Sequence, residues 1–204
     1  MTVAGDGVVS IATNLVMSQA ASGASIVNLN GGTLQATRVY ENTASGISCF
    51  NFDGGTLKAA SGAGANFFGP VDYAWVRPGG AAIDDNGLNI TVSNALATPP
   101  GDGVTALPWG GDLANYVGAP YVQISGGGGT GATAVALFDY TSGTVTGLLI
   151  ASAGAFYTNA PTITLKGGGR PDNALGGATI GANTGGGLTK IGAGTVTLPG
   201  ANTY

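Results

Sequence analysis

The chain has 204 residues, 39 of them glycine; only 8% are charged, the net charge is −4, and there is no histidine. The six cations, Arg38, Lys58, Arg77, Lys166, Arg170 and Lys190, are scattered, which excludes the clustered positive charge that nucleic-acid binding needs. The lack of histidine removes His-based triads and most zinc sites.

Hydrophobic residues make up 44% of the chain and alternate with Thr, Asn and Ser. That pattern favours a β-rich fold with glycine at its turns over low-complexity disorder. Val8–Ile11 and Leu15–Met17 read as a first strand pair. Ile26–Asn30 is the first clear strand, with Val27 and Leu29 on one face. Gly31-Gly32 turns the chain, and Thr33–Thr37 starts a new strand.

The stretch Ile26–Ala36 then recurs, position for position, as Cys49–Ala59. Val27 and Leu29 become Phe50 and Phe52, and Gly-Gly-Thr-Leu is kept. A weaker third copy begins at Gly79-Gly80. A repeat this short predicts small units stacked on one another, each burying the face its neighbour exposes. In that stack Val27 and Leu29 lie against Phe50 and Phe52, the strands run parallel, and hydrogen bonds join one coil to the next. Residues 61–80 are looser. Phe67, Phe68, Tyr73 and Trp75 form either a side loop packed on the stack or an exposed binding platform. Leu88, Ile90 and Val92 then alternate with Asn89, Thr91 and Ser93. Cys49, the single cysteine, reads as a small buried residue.

Thr98-Pro-Pro-Gly-Asp-Gly103 is a linker signature. Residues 104–183 have a different texture and their own internal echo. Gly118-Ala-Pro-Tyr-Val-Gln-Ile-Ser-Gly-Gly-Gly recurs further on as Asn159-Ala-Pro-Thr-Ile-Thr-Leu-Lys-Gly-Gly-Gly. Between them Thr133–Tyr140 and Thr144–Ala151 form a hairpin pattern, which makes a compact module of about five strands. In the closing stretch Val196 and Leu198 alternate with threonine as in the first half.

Gly186–Tyr204 reads Gly-Gly-Leu-Thr-Lys-Ile-Gly-Ala-Gly-Thr-Val-Thr-Leu-Pro-Gly-Ala-Asn-Thr-Tyr. It resembles the passenger-associated transport repeat, also called the autotransporter-associated β-strand repeat, with Ile191, Val196 and Pro199 as local variants. Ala82–Val92 is similar to what often precedes that signature. The resemblance implies an exported parallel β-helix of large bacterial surface proteins, in which the repeat assists secretion and folding and carries no catalytic residue. The expected fold is therefore all-β: a right-handed parallel β-helix (β-solenoid) with an inserted small β module. Its coils span 1–103, the Gly-rich insert spans 104–183 and projects from the side, and 184–204 continues the solenoid. The chain stops inside a repeat, so it reads as a piece of a longer protein whose export signal lies elsewhere. No β-barrel translocator lies within these residues, and none of them forms the long apolar run of a membrane span.

No convincing active site emerges, and the expectation is a non-enzyme. Gly126–Thr133 has the spacing of a phosphate loop, but Ala132 stands where lysine is required. Asp84-Asp85-Asn86-Gly87 is the densest group of oxygen ligands and reads either as a Ca²⁺ site or as a turn. Carboxylates of a polysaccharide-active enzyme would have to flank one sugar bond, and the sequence nominates no pair. The module's aromatics, Trp109, Tyr116, Tyr121, Tyr140, Phe156 and Tyr157, offer either stacking faces for a glycan or host surface or the core of a small domain. The functional expectation is a structural or adhesive segment, extracellular or on a bacterial cell surface, self-associating end to end through open strand edges. The alternative is a glycan- or host-surface-binding module on a β-helix stalk.

Overall fold

The computed structural model describes residues 1–17, 23–42 and 46–204. Among them there is no helix, and the chain divides into two compact units, Met1–Pro99 with Thr184–Tyr204, and Pro100–Asn183.

The first unit is a β-solenoid of parallel stacked strands. Its first nine strands are β1 (Thr2–Ser10), β2 (Asn14–Met17), β3 (Ala24–Ala36), β4 (Arg38–Glu41), β5 (Ile47–Phe52), β6 (Thr56–Ala59), β7 (Tyr73–Val76), β8 (Ala81–Asp84) and β9 (Asn89–Thr91). The sequence repeat sets their register. Val27 lies beside Phe50 and Leu29 beside Phe52 in a parallel pair. Beyond the corner Leu34 lies beside Leu57, and Leu57 beside Ile83. These side chains are all buried and belong to one core.

Two local expectations change. β1 and β2 do not pair with each other; β1 pairs with β3 and β2 with β4, because coil-to-coil bonding takes each strand to its counterpart one repeat on. The chain also does not start a fresh strand after Gly31-Gly32. β3 runs through the corner, with Gly31 at φ +96° and Gly32 at φ +64°, so its first half pairs with β5 and its second with β6. Those positive φ values are open to glycine at little steric cost.

Of the two readings of residues 61–80, packing on the stack holds and the exposed platform does not: 61–66 form a loop, and the aromatics after it are covered. Phe67 and Phe68 are fully buried, and Phe68 packs edge-on against Phe50 with ring centroids 5.2 Å apart. β7 continues the β5 ladder with Trp75 beside Asn51. Phe68 stands in the ladder beside Val39, so a ring fills the tube where the coil before it used valine. Trp75 lies on the other face of β7 from the core residues Ala74 and Val76, against Tyr73 and Arg77.

The second unit holds β10 (Asp102–Ala106), β11 (Tyr121–Ser125), β12 (Thr130–Asp139), β13 (Thr144–Ala155), β14 (Thr162–Gly167), β15 (Arg170–Gly177) and β16 (Thr179–Ala182). β13-β12-β11-β14-β15 form one antiparallel sheet, and β10 pairs with β16. The β10–β16 ladder, with Asp102 opposite Ala182, makes the unit begin ahead of residue 104 and raises its strand number above the expected five. Val122, Ile163, Leu165, Val145, Tyr116 and Tyr157 build its own core.

The solenoid then resumes in β17 (Leu188–Ile191) and β18 (Thr195–Thr197). Leu188 lies beside Ala81 and Val196 beside Ile90, both in parallel. With 100–183 taken out of the count, the step along the chain from Ala81 to Leu188 equals the step from Ile26 to Cys49, the spacing of the first two copies.

Candidate functional site

The acidic turn comes first, because it is the densest oxygen cluster in the sequence. The Asp84 carboxylate sits 2.8 Å from Lys58 Nζ and accepts the Asn86 N–H at 2.8 Å. Asp85 is fully buried; its Oδ1 accepts the N–H groups of Gly87 (2.8 Å) and Gly194 (2.9 Å), and its Oδ2 lies 2.5 Å from Lys190 Nζ. Asn86 takes φ +52°, a conformation asparagine tolerates in turns. The residues named for Ca²⁺ thus serve a turn and two ion pairs. Among the described residues no group of three or more His, Cys, Asp or Glu is arranged to hold a metal ion.

A second polar cluster was not foreseen. Asn28 and Asn51 occupy register-matched positions of β3 and β5 and are buried. Asn51 Nδ2 donates to Asn28 Oδ1 at 2.9 Å, and the buried Arg77 donates from Nε to Asn51 Oδ1 at 2.9 Å. Burial pulls the Arg77 pKa below its ordinary value, with the nearby Cys49 and Asp53 opposing. The sequence signal was present: both asparagines fall at one phase of the repeat.

The module's aromatics divide into two sets. Tyr116 and Tyr157 are buried core residues, and desolvation raises the Tyr157 pKa. They are therefore not stacking faces. Trp109, Tyr121 and Tyr140 are exposed, at 56%, 68% and 79% respectively. Phe156 is also exposed, at φ +62°. Tyr140 packs edge-on against Phe138 with centroids 4.8 Å apart. Tyr121 shares a row with Val135 and Leu149 across β11, β12 and β13, all three exposed. Gly126 and Gly131, which set the phosphate-loop-like spacing, both have positive φ; Gly126 lies in the turn between β11 and β12 and Gly131 within β12, with a strand and no helix after the turn.

Of the nominated aromatics Trp109 borders a wide concavity. That groove, about 510 Å³, is lined by Thr105–Leu107, Trp109 and Thr146–Ile150, with no charged side chain among them. The segment after Trp109 is clamped by Arg170. Its guanidinium lies 2.7 Å from Asp112 Oδ2, donates to the Ala114 carbonyl, and stacks over the Tyr116 ring at 5.1 Å. The Arg170 hydrogen bond holds the Asp112 carboxyl below its usual range. Asn173 Nδ2 adds a 3.0 Å bond to the Asp112 carbonyl. Thr105, Thr146 and Leu149 were missed in the sequence because a polar β-branched or aliphatic residue in a strand carries no functional signal by itself.

No protein-family model, curated protein or solved structure matches this chain.

Proposed function

We propose that the chain is a structural and adhesive display segment of an extracellular bacterial β-solenoid, in which the coils extend a stalk and the 100–183 unit is the displayed part. The observation that carries this reading is the in-register return of the ladder, Leu188 beside Ala81 and Val196 beside Ile90. A solenoid that closes its ladder on both sides of an insertion tolerates the insert as cargo.

The resemblance to the passenger-associated repeat supports the same reading, and its signature residues have structural tasks here. A Cβ on Gly192 would collide with Asp85 Oδ1, and one on Gly194 would collide with the Leu88 carbonyl. Asn202 Oδ1 accepts the Leu96 N–H at 2.8 Å, the same job that Asn94 does for Val71 at 2.9 Å. These residues fasten a coil to the one before it, which suits a part that assists folding of a long stack.

The test is a chain with Pro99 joined directly to Thr184. Under the display reading it keeps a cooperative β-sheet melt, shows no turnover on a polysaccharide panel, and loses attachment to glycan-coated or host-cell surfaces that the full chain shows. Loss of the cooperative melt on removing the insert, or turnover by the full chain, overturns the reading. Sedimentation of the full chain tests end-to-end association, which a strictly monodisperse species at high concentration excludes. A second reading, a glycan-binding role for the displayed unit, is favoured by the exposed Trp109 on an uncharged groove.

A further inference from the structure

The echo between 118–128 and 159–169 extends over most of the second unit. At the same offset Val104-Thr-Ala-Leu107 matches Val145-Thr-Gly-Leu148, and Tyr116 matches Tyr157. The backbone follows the sequence. Asn115 and Phe156, again equivalent positions of the echo, both take φ +62°. A Cβ on Gly127 would meet the Asn159 carbonyl at 2.6 Å and the Tyr157 ring at 2.8 Å; one on Gly168 would meet the Gly118 carbonyl at 2.6 Å and the Tyr116 ring at 2.8 Å.

The contacts between the copies are reciprocal. Tyr116 N–H donates to the Gly143 carbonyl at 2.9 Å, and Tyr157 N–H donates to the Asp102 carbonyl at 3.1 Å. Asp102 and Gly143 are themselves equivalent under the same offset. In the β11–β14 pair Gln123 lies opposite Thr164, its own counterpart. The unit is thus an internal duplication folded about a pseudo-two-fold axis between Gln123 and Thr164.

The Trp109 groove is built from both copies. Thr105, Leu107 and Trp109 line it from one, and their counterparts Thr146, Leu148 and Ile150 from the other. Two copies meeting about an axis leave a cleft walled by equivalent residues. Here the cleft is asymmetric at one place only among these three pairs: an indole stands where the other copy has Ile150.

We propose that this groove is a carbohydrate-binding site that takes a neutral oligosaccharide. Its volume falls in the range of small-ligand sites, roughly 300–1,000 Å³. With no charged side chain on its walls it offers no counter-charge to an ionic ligand. The half-exposed indole presents a flat apolar face to the C–H face of a pyranose ring, and Thr105 and Thr146 line the groove from the two copies with hydroxyls to meet the sugar's, the Thr105 hydroxyl also donating to the Thr179 carbonyl at 3.4 Å. Leu149 continues the surface into the exposed row with Val135 and Tyr121, so a chain of sugars has somewhere to run. The site deepens the second reading above; the display role stands on the solenoid ladder and survives the site's failure.

The experiment uses the full chain on an array of neutral and charged oligosaccharides, followed by titration of the best neutral one against intrinsic tryptophan fluorescence. Trp75 is buried and Trp109 exposed, so the signal on binding comes from Trp109. Expected are saturable binding of a neutral oligosaccharide, weakening of roughly tenfold or more in Trp109→Ala, partial retention in Trp109→Phe, and weakening in the double variant Thr105→Val, Thr146→Val. Tyr140→Ala, exposed and outside the groove, leaves binding unchanged. Each variant is checked for an unaltered melt. The proposal is overturned if no neutral oligosaccharide binds, if only charged glycans or peptides bind, or if Tyr140→Ala weakens binding as much as Trp109→Ala.

Discussion

Lys190 stands in register with the fully buried Ile83, yet its ammonium ends 2.5 Å from Oδ2 of the buried Asp85. The lysine side chain stays 41% exposed at this register position, and its ammonium reaches a carboxylate that precedes the whole inserted unit in the chain. The Lys190 hydrogen bond is the main cause holding the Asp85 pKa below its ordinary value; desolvation opposes it, and the Gly194 and Gly87 N–H groups add to it. A carboxyl whose folded pKa is depressed contributes stability above its unfolded value, about 3.9, and loses that contribution as pH falls through the folded pKa. Acidification from pH 5 to pH 3 is expected to lower the melting temperature of the solenoid. Asp85→Asn should flatten that dependence, and Lys190→Met should reduce it while lowering stability at pH 7. Thermal melts by circular dichroism across pH give the answer, and an unchanged acid slope in Asp85→Asn refutes the role.

The glycine corners make a sharper steric prediction. A Cβ on Gly55 would lie 2.5 Å from the Gly31 carbonyl oxygen and 2.6 Å from Leu29 Cγ, whereas one on Gly64 meets nothing within 4 Å. Gly55→Ala should destabilise by about 1–3 kcal/mol through overpacking. Gly64→Ala should be neutral or stabilising by up to about 1 kcal/mol, since it restricts the unfolded chain. Denaturant titration of both separates a corner that needs close backbone approach from a glycine that merely sits in a loop. Equal effects of the two substitutions would count against the stacked-corner account.

Cys49 gives an independent reading of how tightly the coils close. Burial pushes its thiol up to about 12, with the Arg77 charge and the Asn51 hydrogen bond pulling the other way. A thiol raised in this way favours folding below its unfolded pKa, near 8.5, and that contribution is lost as pH rises towards 12. At pH 8 a disulfide reagent should label the folded chain only as fast as the chain opens, and should label it at once in denaturant. Immediate labelling of the native chain would mean that β5 is not covered.

How much of this could be read beforehand follows from what repetition records. Val27, Leu29, Phe50 and Phe52 announced their pairing because a parallel stack copies its pattern at a fixed interval. Phe67 and Phe68 did not, since they fill the same tube with a different size of side chain and no local periodicity separates that from a loop. Tyr116 and Tyr157 looked like Trp109 in sequence. Only the fold distinguishes rings that pack over glycine turns from one left at a groove. Thr105 and Thr146 were legible in principle through the echo that maps Gly118 onto Asn159, but so short a match gains weight only once the backbone shows the same φ values on both sides. Asp84 and Asp85 carried two readings because a turn and a cation site use the same oxygen-rich residues, and Lys190, which decides between them here, lies on the far side of the inserted unit.

The buried amide pair offers the last test. Asn51 sits between Asn28 and Arg77, giving its amide N–H to one and accepting from the other, while Asn28 reaches Thr2 with a 3.4 Å contact on its far side. Replacing the middle member removes a neutral acceptor from a buried guanidinium as well as a donor from Asn28, and leaving buried polar groups short of partners costs about 1–3 kcal/mol, more for charged ones. Asn51→Ala should therefore destabilise by about 2–4 kcal/mol, and Asn28→Ala by less. Arg77→Met, which removes the charge and keeps an unbranched apolar stem, should cost less than Asn51→Ala, because a buried ionic group is more harmful stripped of an acceptor than absent. The double variant Asn51→Leu, Arg77→Met should recover part of the loss of Asn51→Leu. Urea titration of the set at pH 7 measures the coupling, and strict additivity of Asn51→Leu and Arg77→Met would show that the two side chains act separately.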